Sequence, residues 1–177
     1  MKIISIIIFK VREAIKMSRE SPISKVYEAY SALADKRIEK INDSLFLVES
    51  SDHSKRYTVK IDEKGICSSN DNATVWQHYA GYPILAVLME EGKLPYEKSL
   101  LPYFASINWK KLNTEAKNKY DIAIEKAFSS FTDEERNKIQ QAIEETRVAL
   151  VSLSLEVKGN RAKILPPKEA ENKADLS

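Results

Sequence analysis

The chain has one cysteine, two histidines, four glycines and six prolines among 177 residues. A single cysteine excludes an intrachain disulfide and fits a reducing compartment. Four glycines, no two of them adjacent, exclude a glycine-rich phosphate loop. Charge of one sign is missing too: 28 basic residues against 26 acidic leave a net +2, so no global field draws nucleic acid. The apolar run "IISIIIF" at residues 3–9 is far too short to cross a bilayer as a helix and lacks a small-residue cleavage site. The expectation is a soluble, cytoplasmic protein with no membrane partner. Met17 is an alternative natural start, which would make residues 1–16 an extension.

What is present is enough for a core. The chain is 43% hydrophobic and 31% charged, and its length fits one compact module. Heavy use of Lys, Glu and Ile suggests a thermophilic source. Residues 22–35 have helical spacing at Ile23, Val26, Tyr27, Tyr30 and Leu33, with Ser21 placed to cap and Pro22 suited to the first turn. Asn42-Asp43 separates two short strand patterns. "RYTVKI" alternates as a half-buried strand, Gly65 closes a turn, and "ICS" begins a fourth strand. "YPILAVLMEEGKL" is apolar on nearly all sides and ends at Gly92, which predicts a buried helix on the sheet.

From Asn113 the pattern is helical twice. One stripe runs Ala116, Tyr120, Ala123, Ala127 and Phe131, and a second runs Ile139, Ile143, Thr146, Leu150, Leu153 and Val157. Between them Thr132 and Glu135 form a capping box. The expected fold class is α+β: a small antiparallel β-meander with packed helices, then a C-terminal antiparallel helical hairpin. The expected organisation is an N-terminal extension over 1–21, an α+β module over 22–104, the hairpin over 105–158 and a flexible tail over 159–177.

The stretch "GICSSNDNATVWQHYAGY" has the outline of a metal knuckle: Cys67, then Ser69, Trp76 and His78, followed by an apolar helix ending "GKL". With the preceding helix and meander it resembles a SWIM domain over residues 22–95. That family's signature is Cys-x-Cys, a spacer, then Cys-x-His. Cys67 and His78 match, whereas Ser69 and Trp76 replace two ligands. Serine and tryptophan supply no thiolate, so the expectation is no cofactor and no bound metal. Packing by Trp76, Tyr79 and Tyr82 would then replace the ion. The knuckle set is Cys67, Trp76, His78 and Tyr82.

No nucleophile stands with a base and an orienting group, and the carboxylate pairs sit in helical runs that read as solvated faces. An enzyme is not expected. The SWIM resemblance implies a non-catalytic interaction module in a protein or nucleoprotein assembly, of the kind involved in recombination or repair. A protein partner is expected, with DNA as an alternative partner. Lys55, Arg56, Lys110 and Lys111 are the candidates for phosphate contact, the last two beside Trp109. The long stripe over 139–157 offers a homodimer seam through the C-terminal helices. Two alternatives stand beside this reading: a direct nucleic-acid-binding protein and a structural zinc protein.

Overall fold

A computed structural model describes residues 19–168. The readings of residues 1–16, of Met17 as a start and of the last nine residues lie outside the described residues. The chain runs α1 (Ile23–Ala34), β1 (Ile38–Asn42), β2 (Leu45–Glu49), β3 (Arg56–Ile61), β4 (Cys67–Ser69) and a π-helical turn (Ala73–Gln77). It continues as α2 (Tyr82–Glu90), a 3-10 helix (Lys98–Phe104), α3 (Trp109–Glu115), α4 (Tyr120–Ala127), α5 (Asp133–Ser152) and β5 (Val157–Gly159). The five strands lie in sequence order in one sheet. The first four are antiparallel and β5 joins β4 in parallel. The protein is therefore α+β.

The meander forms where alternation demands it. Phe46 and Val48 on β2, Val59 and Ile61 on β3, and Cys67 on β4 all turn inward and are buried. Register pairs Phe46 with Val59 and Ile61 with Cys67, so one face of the sheet is continuous and apolar. Gly65 takes a φ of +80° at the β3–β4 turn and Gly92 a φ of +68° just past α2, both left-handed positions that favour glycine. Helix α2 is buried from Pro83 to Met89, packed between the sheet and α1.

Helix α1 is the centre of the molecule and is buried from Ser24 to Leu33. Most of its polar side chains survive there because they have partners, Ser24 being the exception among the described residues. The Ser31 hydroxyl donates to the Phe104 carbonyl and accepts from the Trp109 indole at 2.7 Å. The Tyr30 hydroxyl sits 3.1 Å from Thr146 on α5 and accepts the Glu97 N–H at 2.9 Å. A cluster of Tyr27, Tyr30, Phe104, Trp109 and Phe128 joins α1 to the 3-10 helix, α3 and the end of α4.

Several local expectations change. Ser21 does not cap α1; its hydroxyl donates to the Ala80 carbonyl, and Pro22 stands at the N-cap position. The first arm of the helical pair is two short helices, because Lys117 and Asn118 adopt positive φ between α3 and α4. The second arm, α5, starts at the capping box: Thr132 N–H donates to Glu135 and Glu135 N–H to the Thr132 hydroxyl. It lies against α1. It ends at Ser152, so Val157 belongs to β5 and not to the helical stripe.

Residues 159–168, read from sequence as the start of a loose tail, are tied to the sheet. Leu165 exchanges both backbone hydrogen bonds with Arg56, and the Asn70 amide donates to the carbonyls of Ala162 and Lys163. Among the described residues no helix is long and apolar enough to cross a membrane.

Candidate functional site

The knuckle residues are scattered. Cys67 lies inside β4, fully buried, its thiol 3.7 Å from the Gly65 carbonyl. Trp76 is 62% exposed, so it does not supply the core packing expected of it; its ring faces the Arg161 guanidinium at 5.7 Å. His78 is exposed and left-handed, with φ +59°, and its carbonyl accepts the Arg19 N–H. Tyr82 is partly buried against the core and donates to the Glu49 carbonyl at 3.2 Å. Among the described residues no group of three or more His, Cys, Asp or Glu is placed to hold a metal ion.

Burial pushes the Cys67 thiol up to about 11. A thiol held that high carries little thiolate at neutral pH. Iodoacetamide at pH 8 is therefore expected to label the native chain at least tenfold more slowly than the urea-unfolded chain; equal rates would contradict this burial.

The phosphate candidates fare unevenly. Arg56 is buried, its Nε donating to the Pro166 carbonyl at 2.9 Å, so it serves the C-terminal segment and not the surface. Lys110 reaches back to Asp52 and Ser54 on the β2–β3 loop, and Lys111 lies 4.0 Å from Glu115. Lys55 is exposed. These four do not form one basic patch.

Burial alone would raise the Asp52 carboxyl, but hydrogen bonds from Lys110, Ser50 and Ser54 outweigh it and hold the group well below the usual carboxylate range. A depressed carboxylate adds stability above the unfolded value of about 4 and loses it as pH falls through the folded one. Asp52→Asn is therefore expected to cost about 1 kcal/mol at pH 7, since Lys110 is half exposed, and progressively less below pH ~4. Urea unfolding at pH 7 and pH 3 checks this; a cost that persists undiminished in acid would contradict it.

The loop that Lys110 holds forms one rim of a cleft of about 180 Å³. Its walls come from α1 (Lys25, Glu28), Arg37, the β2–β3 loop (Ser50, Ser51), Tyr57, the stretch Asp71–Ala73, Tyr82 and α3 (Trp109, Lys110, Asn113). Backbone and side chain hold the rim together: the Lys110 N–H donates to the Ser51 hydroxyl at 3.0 Å. Asp71 holds the opposite wall, its Oδ1 accepting the Ala73 and Thr74 N–H groups and its Oδ2 the Thr74 hydroxyl at 2.7 Å.

Charged groups so far from water are costly unless paired. Lys25 and Glu28 pair at 2.8 Å. Burial works against the Lys25 charge, but Glu28 more than offsets it and raises the ammonium above its ordinary range. Arg37 is only 4% exposed; its Nη1 donates to the Glu49 carbonyl at 2.7 Å and its guanidinium faces the Tyr82 ring at 5.8 Å. Asp35 lies 3.5 Å from Nε, near enough for ion pairing but without hydrogen-bond geometry. Nη2 has no hydrogen-bond partner among the described residues, and neither does Asn113 Oδ1. A single pass along the sequence places Arg37 only in a basic pair with Lys36 and gives Lys25 and Glu28 no role, because the contacts that sink them come from residues far along the chain.

Fold and cleft together define a small α+β domain with a polar, charge-lined pocket between its central helix and its sheet. The family model for uncharacterised conserved protein UCP014422 matches residues 18–156, and the chain belongs to that family. This corrects the SWIM resemblance, which rested on Cys67 and His78: the family matched is a different one, and those two residues share no site. No curated protein and no solved structure gives a significant match.

Proposed function

We propose that this protein is a non-catalytic interaction module whose working site is the cleft, which holds a small polar ligand. The observation that carries the reading is Arg37, almost wholly buried at the cleft wall, whose Nη2 has no hydrogen-bond partner among the described residues. A buried donor without a partner costs about 1–3 kcal/mol, which a bound acceptor recovers. The aromatic faces of Tyr57, Tyr82 and Trp109 add apolar surface beside a few polar groups, the usual make-up of a ligand site.

A thermal-shift screen of small polar compounds on the intact chain and on Arg37→Met tests it. A ligand at a hundredfold excess over its dissociation constant stabilises by about 2.7 kcal/mol, or about 5–10 °C in a domain of this size. The expected result is a compound that shifts the parent and not the variant. If compounds stabilise both chains equally, or none does, the reading fails.

A second reading places the module in a protein assembly. Val148, Val151 and Leu153 near the end of α5 are all exposed, beside a groove lined by Ala80, Leu150 and Leu155. A homodimer through this surface would give twice the chain mass in light scattering, reverting to one chain mass in Val148→Glu/Val151→Glu.

A further inference from the structure

The cleft leaves two kinds of polar group unspent. Arg37 offers Nη2 as a donor, and Asn113 offers Oδ1 as an acceptor, both buried and without a hydrogen-bond partner among the described residues. The orientation of the Asn113 amide is set by Glu28, whose carboxylate accepts its Nδ2 at 3.3 Å, so the oxygen is the end left over. The same carboxylate atom, Oε1, takes the Lys25 ammonium, which leaves the ion pair self-contained. A complementary ligand therefore brings an acceptor for Arg37 and a donor for Asn113.

Size narrows the class. At about 180 Å³ the cleft falls below the roughly 300–1,000 Å³ of sites for drug-sized ligands, which points to a smaller molecule. The guanidinium fork takes a carboxylate or a phosphate alike, so inorganic phosphate is the anion a carboxylate must outcompete here. At the other end the unspent Asn113 oxygen takes an N–H donor, which an ammonium supplies.

Building on the small-ligand reading, we infer that the cleft binds a small zwitterion, an α-amino acid with a short side chain, carboxylate on Arg37 and ammonium on the Asn113 oxygen. Isothermal titration of the full chain with L-alanine, propionate, ethylamine and inorganic phosphate tests it. L-Alanine is expected to bind at least tenfold more tightly than propionate or ethylamine, each of which keeps one charged end. Asn113→Leu should erase the advantage of L-alanine over propionate, and Arg37→Lys should weaken both carboxylates.

The comparison among the four compounds needs only the parent chain, so a variant that fails to fold does not spoil it. Propionate or phosphate binding as tightly as L-alanine would overturn the zwitterion while leaving the cleft a small-ligand site. So would failure of all four where the wider screen finds another ligand. Failure of every compound in both experiments would overturn the small-ligand reading itself.

Discussion

Phe104→Ala is expected to cost about 3–5 kcal/mol, the range for truncating a large buried aromatic side chain. Phe104 is fully buried, with ring centroids 4.8 Å from Tyr30, 5.3 Å from Phe128 and 6.1 Å from Tyr27. It joins the 3-10 helix to α1 and to the end of α4, so no single helix can move in to fill the space. The carbonyl of the same residue accepts the Ser31 hydroxyl, which couples the cavity to the polar network under Trp109. Native domains hold only about 5–15 kcal/mol in total, so this one change would remove a large fraction. Urea unfolding reads it as a lower midpoint at constant slope. Phe104→Leu, which keeps most of the volume, should cost clearly less; a cost under 1 kcal/mol for the alanine variant would contradict this core.

Gly81→Ala is expected to cost about 3 kcal/mol, combining overpacking of roughly 1–3 kcal/mol with the loss of a buried hydrogen bond to a charged group. The position is not conformationally demanding, with φ at −68°. The obstacle is space: a Cβ there would stand 2.1 Å from Asp71 Oδ1 and 2.6 Å from its Cγ. Asp71 is buried and committed to Ala73 and Thr74, so it cannot swing away without releasing the π-helical turn. The Gly81 N–H itself donates to the Thr74 hydroxyl, which ties the same knot from the other side. Because Asp71 to Ala73 line the cleft, this variant should lose ligand binding along with stability. Thermal unfolding checks the first part; an unchanged melt would show that Asp71 has room to yield.

Much of the fold was legible in single residues. The alternation in "RYTVKI", the apolar helix ending at Gly92 and the Thr132–Glu135 box are local signals, and each was realised where it stood. The break at Lys117–Asn118 was not legible, since neither residue is a glycine that would announce positive φ. Strand β5 was hidden because Val157 continues the four-three step of α5 while its partner, Cys67, lies far back in the chain. The cleft was less legible still. Arg37 reads as one of several surface bases until Tyr82 and the Glu49 carbonyl close over it. Lys25 and Glu28 read as the wet side of a helix that the fold buries on every side. Cys67 and His78 misled for the converse reason: their spacing matched a motif, but the strand and the left-handed turn carry them apart.

The most direct test of the cleft is the guanidinium of Arg37 itself, followed by ¹⁵N NMR while the chain is titrated with the compound giving the largest thermal shift. Arg136 and Arg147, ion-paired to Asp133 and Glu144 on the surface of α5, serve as internal references. The Arg37 side-chain signals should move and saturate with the binding curve while those of Arg136 and Arg147 stay in place. Saturable binding that leaves Arg37 unmoved would put the ligand elsewhere and contradict the account.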